Sequence, residues 1–422
     1  MILNMNFKKI AREFPRRFWS VVAVSFIDHV GGTMLFPFFS LYITQKFGVG
    51  MTQAGIVLGL FSISGLFGQM IGGALTDKFG RRKLIIGGLV FSALSTLTLG
   101  FVKHYSVLIP LAIFIGLLSD IAGPAHSAMI ADILPEKQRQ EGYGILRVVA
   151  NLAWIIGPTI GGFVAGRSFL ALFIIDAVIS CIVALLFYLM IPETKPEGHP
   201  DEKPESLLST FVGYGKVLKN YAFMAFLVAG MLMGVVYQQM YNSLSVYMRD
   251  VHGIDPQGYG FLLTASAIVV ILFQFSVTRW IKKKPPFTMM ALGTLFYMLG
   301  FGMIGFIPNG VYWLFVVSVV VVTIGEMLVV PTSQTLAANF APEEMRGRYM
   351  GIFGVTWAIP ATIGPAAAGI IIDNYNPNLL WYIGAVLCLV SAMSYFALHL
   401  KLGHQERFQP APDEIEGPVT AE

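Results

Sequence analysis

Long apolar runs separated by short polar segments set the plan of this chain. A spanning helix needs about 20 mostly apolar residues. Runs of that kind fall near 18–43, 53–75, 84–102, 107–131, 143–165 and 168–191, and a second set near 221–247, 257–280, 287–307, 311–338, 347–372 and 378–400. The pattern predicts an all-α integral membrane protein with twelve transmembrane helices. Between the sets, Pro192 to Asn220 carries Glu193, Lys195, Glu197, Asp201, Glu202, Lys203 and Glu205, a linker composition. The expected organisation is a six-helix bundle over 1–191, a linker over 192–220, a second bundle over 221–400 and a tail over 401–422.

The two sets repeat each other at a constant offset of 207 residues. Pro124 matches Pro331, Ala131 matches Ala338, and Pro135-Glu136 matches Pro342-Glu343. The register continues through Arg139 and Arg346, Gly144 and Gly351, Gly157-Pro158 and Gly364-Pro365, and Gly162 and Gly369. An even number of spans per copy gives both copies one orientation. That is a parallel repeat, in which a transporter holds its substrate at the interface of the halves.

Composition agrees with a lipid environment. Of 422 residues, 55% are hydrophobic and 12% charged, with mean hydropathy +0.70. A soluble domain carries about 25% charged residues, so this chain cannot coat a surface facing water. With the N-terminus inside, 23 of the 28 Lys and Arg fall in cytoplasmic segments, and the outer loops hold only Lys46, Lys103, Arg167 and Arg249. That asymmetry places both termini, the linker and the tail in the cytoplasm of a multi-pass inner or plasma membrane protein. The net charge of +4 is thus loop anchoring, and no nucleic-acid partner is expected. Cys181 and Cys388 lie in apolar segments and form no disulfide framework. The first apolar run, about 25 residues long, exceeds the roughly 7–15 of a signal-peptide core and reads as the first span.

Three motifs carry chemistry. The first is Gly73-Ala-Leu-Thr-Asp77-Lys-Phe-Gly80-Arg81-Arg82-Lys83, a short turn between spans 2 and 3. Gly80 permits a turn that a Cβ resists, and the basic residues anchor one membrane face. The segment resembles the helix 2–3 signature of the major facilitator superfamily, a resemblance that extends from helix 1 to helix 12. It implies the twelve-helix major facilitator fold, and it implies that Asp77 contacts the opposite half while Arg81 pairs with Asp132. The second motif, in helix 5, runs Gly144, Ala153, Gly157-Pro158, Gly161-Gly162. It is similar to the antiporter signature of the drug:proton branch, with Ala153 standing where that pattern has glycine. Small residues allow close helix approach and a proline bends the rod, as a hinge requires. The third, Gly325-Glu326 through Pro331 and Gln334 in helix 10, resembles a segment of multidrug:proton antiporters whose glutamate takes part in coupling or cation binding.

Ionisable groups inside spans cost about 2.5–3.5 kcal/mol or more each, so each is a functional candidate. They are Asp28, Asp120, His126, Arg147, Asp176 and Glu326. A carboxyl withdrawn from water holds a proton more readily, the property that proton-coupled antiport needs. Asp28, Asp120 and Glu326 are the candidates for coupling or substrate binding, and the resemblance places Asp28 and Glu326 on opposite sides of one cavity. Arg147 is expected to neutralise one of Asp28, Asp120 or Asp132. Asp176, near the outer surface on a helix that is peripheral in the family, is the weaker candidate, and His126 reads as a packing histidine. In helix 7, Gln238, Tyr241, Asn242 and Ser245 recur at helical spacing and are expected to line the cavity.

The expected function is secondary transport by alternating access, with proton-coupled export of amphipathic or cationic small molecules. A proton-coupled metabolite or sugar transporter of the same fold is the alternative. No G-x-x-x-x-G-K-[ST] loop, HExxH or G-x-S-x-G occurs, which disfavours ATP-driven transport and an intramembrane enzyme. The expected partners are small-molecule substrate, protons and lipid, without metal or cofactor, and a monomer is expected.

Overall fold

The structure, a computed structural model, describes residues 13–119, 121–194, 215–342 and 345–409. Among them twelve helices are long and apolar enough to cross a membrane. In chain order these are α1 (Arg16–Phe47), α2 (Met51–Phe79), α3 (Arg81–Phe101), α4 (Tyr105–Ile133), α5 (Glu136–Ala165) and α6 (Phe169–Met190). The second set comprises α7 (Tyr221–Asn242), α8 (Pro256–Ile281), α9 (Pro286–Ile304), α10 (Tyr312–Phe340), α11 (Arg348–Asn374) and α12 (Leu379–Leu402). No strand occurs among the described residues.

Large apolar side chains such as Phe67, Met70, Leu94, Phe114, Leu189, Leu272 and Leu400 are exposed. In water such a surface would aggregate; in lipid it is solvated. Buried residues fill the inside of each bundle. In the first, Phe18, Val21, Ile85, Ala125, Met129, Val183 and Phe187 belong to one continuous core.

The described residues divide by contact into two units. The first draws on Met1–Lys203, Gln238–Ala267 and Ala361–Pro377, and the second on Pro204–Tyr237, Ile268–Pro360 and Asn378–Glu422. The units therefore do not follow the repeat boundary, because α8 and α11 each contribute to both. Within the first unit α1 packs on α5 and α6, α3 on α6, and α2 on α4; within the second, α9 packs on α10 and α12, and α7 on α12. The α3–α6 contact thus has its copy in α9–α12.

Glycine sets these approaches. A Cβ at Gly68 or Gly72 would collide with the carbonyls of Leu117 and Ile121, and one at Gly116 with the carbonyl of Phe61. The backbones of α2 and α4 touch there, which no larger residue allows. Gly87 on α3 meets nothing within 4 Å. Gly68→Ala is therefore expected to lower the melting temperature of the purified protein, with overpacking costs of about 1–3 kcal/mol. Gly87→Ala should hold or raise it, since alanine is the better helix former by about 0.8–1 kcal/mol. Equal behaviour of the two variants in a thermal-shift assay would contradict the packing described.

Candidate functional site

The centre of the first unit is hollow. A cavity of about 270 Å³ lies among α1, α2, α3, α4 and α6, with Asp28 and Gly32 from α1, Ser92, Ser95 and Thr96 from α3, and Asp176 and Ser180 from α6 in its wall. A second, more open cavity of about 300 Å³ is lined by Asp28, His29, Gly32, Thr33, Phe36 and Trp154. Asp28 and Gly32 belong to both walls. Asp176 is 6% exposed and accepts a 3.0 Å hydrogen bond from Thr96 Oγ1. It reaches α1 because residue 31 is glycine: a Cβ there would stand 2.8 Å from Asp176 Oδ1. Asp28 accepts no hydrogen bond from a described residue. Nearby, Ser25 Oγ lies 2.9 Å from His126 Nε2, and His29 Nδ1 lies 2.7 Å from the Ser25 carbonyl, so His126 is a hydrogen-bonded core residue.

At the end of the bundle near the N-terminus, the glycine-basic signature is not a loop. Helix α2 runs on to Phe79, Gly80 alone makes the turn at φ 89°, and α3 begins at Arg81. Glycine is required there twice, for the left-handed backbone and because a Cβ would stand 2.5 Å from Glu193 Oε2. The Glu193 carboxylate caps α3, accepting from Arg81 N at 2.9 Å and Arg82 N at 3.2 Å, as a helix N-terminus favours. Arg81 Nε pairs with Asp132 Oδ2 at 3.0 Å, and Thr194 Oγ1 donates to the same oxygen at 3.2 Å. Arg82 donates to the Tyr188 carbonyl and lies over its ring at 4.7 Å, while Lys83 is exposed. Gly73 lies within α2, and the side chain of Asp77 lies outside the described residues. Glu193 was missed by sequence reading: it looked like one of several linker acids, and only its position just after α6 marks it.

The helix 5 glycines serve two neighbours. A Cβ at Gly157 or Gly161 would strike Thr33 or the Met34 carbonyl on α1, and Thr33 Oγ1 donates to the Ala153 carbonyl at 3.1 Å. Gly162 faces α8, where its Cβ would stand 2.9 Å from the Pro256 carbonyl, and Gly260 of α8 is blocked by the Pro158 carbonyl. Helix α5 passes through Pro158 without interruption. Gly144 meets nothing within 4 Å. Symmetrically, Gly55 and Gly59 of α2 abut Pro365 and Thr362 of α11, and Gly369 abuts Thr52. Just beyond, the Asp373 carboxylate accepts from Met51 N at 2.9 Å and Thr52 N at 2.7 Å, capping α2 across the repeat.

Other expected residues are arranged differently. The helix 7 stripe does not run down one face, because the helix is interrupted by turns at Gln238 and Ser243. Tyr241 packs on Trp154 at 5.1 Å, Asn242 is buried and donates to the Gln238 carbonyl, and Ser245 lies 3.3 Å from Ser40 Oγ. None of the four lines either cavity described above. Arg147 is exposed and pairs with no described acid, Asp132 being engaged by Arg81. Asp120 lies outside the described residues. Glu326 is half-buried on α10 in the second unit, where Gly325 lets α10 meet α9 at the Gly293 carbonyl. No group of three or more metal-ligating side chains occurs among the described residues.

A sequence profile of the Major Facilitator Superfamily matches residues 21–361 and 239–420. A Na(+), Li(+), K(+)/H(+) antiporter of Planococcus maritimus is 28% identical, covering 79% of this chain and 84% of the relative. The quinolone resistance protein NorA of Staphylococcus aureus is 24% identical over 82% of this chain and 88% of its own length. The multidrug resistance protein MdtH of Shigella dysenteriae is 26% identical over 87% and 90%. Among solved structures, the nucleoside transporter NupG superposes with a TM-score of 0.79 at 13% identity, covering 91% of this chain and 100% of that one, a likeness of fold.

The Asp373 cap can be measured directly. Asp373→Asn removes the charge and sets an amide donor against one of the two N–H groups, and charge-assisted bonds contribute about 1.5–3 kcal/mol. Backbone amides of Met51 and Thr52 should then exchange with deuterium roughly tenfold faster or more, while those of α9 stay unchanged. Unaltered exchange at 51 and 52 would remove the cap from the account.

Proposed function

The chain belongs to the Major Facilitator Superfamily, and on that premise we propose that it exports amphipathic or cationic small molecules in exchange for protons by alternating access. Membership supplies the transporter fold and a small-molecule substrate; the substrate class and the coupling ion are our reading. The observation that carries it is the setting of Asp28. Its carboxyl group stands at the junction of two cavities, with no hydrogen-bond donor among the described residues and no Lys or Arg in either wall. Such a group takes either a proton or a cation, and exchanging one for the other is antiport. The named relatives support the same direction, since one is an antiporter exchanging alkali cations for protons and two are drug resistance proteins. A proton moving down 100 mV supplies about 2.3 kcal/mol, enough to drive accumulation.

The glycine contacts on α5 support a rigid-body mechanism. Helices that meet backbone to backbone slide or part as units, without repacking long side chains. The Arg81–Asp132 pair and the Glu193 cap bind the near ends of α2, α3, α4 and α6 into one block, as a rocking bundle requires. A nucleoside or peptide substrate, as the names of the structural neighbours would suggest, rests on fold likeness alone and on no residue of this chain.

The test uses inverted membrane vesicles and a lipophilic cationic dye. The wild type should accumulate dye when a proton gradient is imposed, and Asp28→Asn and Glu326→Gln should each reduce the initial rate by about tenfold or more. If correctly inserted wild-type protein ignores both dye and gradient, drug export falls and metabolites become the substrates to screen.

A further inference from the structure

The cavity behind Asp28 has a composition that proton exchange alone does not require. Among the described residues its wall holds two carboxylates, Asp28 and Asp176, and no Lys, Arg or His. Ser180 is 4% exposed, lines the same space, and its hydroxyl makes no hydrogen bond to a described residue. That hydroxyl faces the cavity, where it can pair with whatever fills the space. Thr96 occupies one oxygen of Asp176. The remaining oxygens of Asp28, Asp176 and Ser180 form a negative, acceptor-rich end.

The rest of the wall sets apolar side chains, Phe36, Phe39 and Phe61 with Leu35, Leu58, Leu99 and Ile115, beside the hydroxyls of Ser92, Ser95 and Ser119. That division discriminates among possible guests. A proton satisfies a carboxyl and leaves the space empty. An alkali ion engages the oxygens but gains nothing from three aromatic rings and four aliphatic side chains. An organic ammonium uses both ends, its charge on the acids and its body on the rings, where the faces also attract cations. The volume, about 270 Å³, holds roughly nine waters at about 30 Å³ each, room for one small ring and an ammonium group.

We propose that this chamber, enclosed by helices of the first repeat alone, is a binding site for a small organic monocation, with Asp176 and Ser180 as ligand-contacting residues beside Asp28. The proposal deepens the export reading and rests on it for the route by which the cation leaves. Gly32 is the entrance: it lies in the wall of both cavities, and a Cβ there meets nothing within 4 Å. The adjacent Gly31 has the opposite task, admitting Asp176 to α1. One glycine of the pair keeps the acid close and the other keeps the door open.

The experiment measures equilibrium binding of benzyltrimethylammonium to the full-length protein in lipid nanodiscs by calorimetry, alongside dye transport in vesicles. Gly32→Leu sets its Cβ in open space and its longer side chain in the chamber mouth, so it should keep the wild-type melting temperature while weakening binding by about tenfold or more. Asp176→Asn should weaken binding to a similar degree, and Gly87→Ala should leave it unchanged. Wild-type binding that neither Gly32→Leu nor Asp176→Asn moves, or no wild-type binding at millimolar probe, overturns the proposal. So does displacement by sodium at equal affinity together with equal binding of ringless tetramethylammonium, which would make the chamber an inorganic cation site. Binding lost in the variants while the wild type transports no dye would support the chamber and remove the export reading. Transport intact with binding unmoved would do the reverse.

Discussion

Lipid supplies no hydrophobic force between two apolar helices, so a membrane bundle holds together only where backbones come close enough for dispersion and polar contacts to act. That constraint organises this protein. The α2–α4, α1–α5, α5–α8, α2–α11 and α9–α10 contacts each rest on glycine facing a backbone or a short side chain. At Gly32 glycine instead faces space, in the wall of both cavities. The hollow of the first unit and the tightness around it are two results of one placement rule. Side-chain volume, not hydrophobicity, is the variable that lipid leaves for specifying which helices meet.

How much of this is legible in the chain follows from the same physics. Every span must satisfy its backbone internally and be apolar throughout, so twelve helices can be read from composition alone. The duplication shows in residues with a backbone duty, such as Gly157-Pro158 and Gly364-Pro365, because their role leaves little choice of side chain. What cannot be read is any contact between elements far apart in sequence. Glu193 caps α3 across 112 residues and Asp373 caps α2 across 322. The weight of Asp176 depends on a glycine of α1 and a threonine of α3, neither visible from α6. In helix 7, spacing predicts a single face only while the helix continues, and turns at Gln238 and Ser243 end that condition.

The repeats are alike in path and different in chemistry. Helix α5 meets α8 and α11 meets α2 through the same kind of glycine contact, as parallel duplication requires. Yet the position 207 residues before Asp373 is Gly166, which has no side chain with which to cap α8. Helix α8 is served locally, with Asp255 Oδ1 accepting from Gly258 N at 2.8 Å. One of the two symmetric contacts therefore carries a charge-assisted clasp between repeats, and the other relies on packing and on the Thr159–Thr264 hydroxyl pair.

The same inequality governs the charges. Of the arginines near the first bundle, Arg81 is committed to Asp132, Arg249 to Asp250 at 2.6 Å and to Thr44, and Arg147 pairs with no described acid. Asp28 and Asp176 thus share a membrane-embedded space with no Lys or Arg among the described residues of its wall, and His29 stands with Asp28 in the wall of the second cavity. An arginine in that wall would have made the acids a permanent structural pair, cheap to bury and useless for exchange. Leaving them without one makes the resting charge depend on what diffuses in. On the reading proposed above, a proton and an organic cation compete for the same oxygens, and one cannot be held firmly without weakening the hold on the other. Competition at one pair of carboxylates is sufficient to couple two fluxes, and it requires no signal between distant sites.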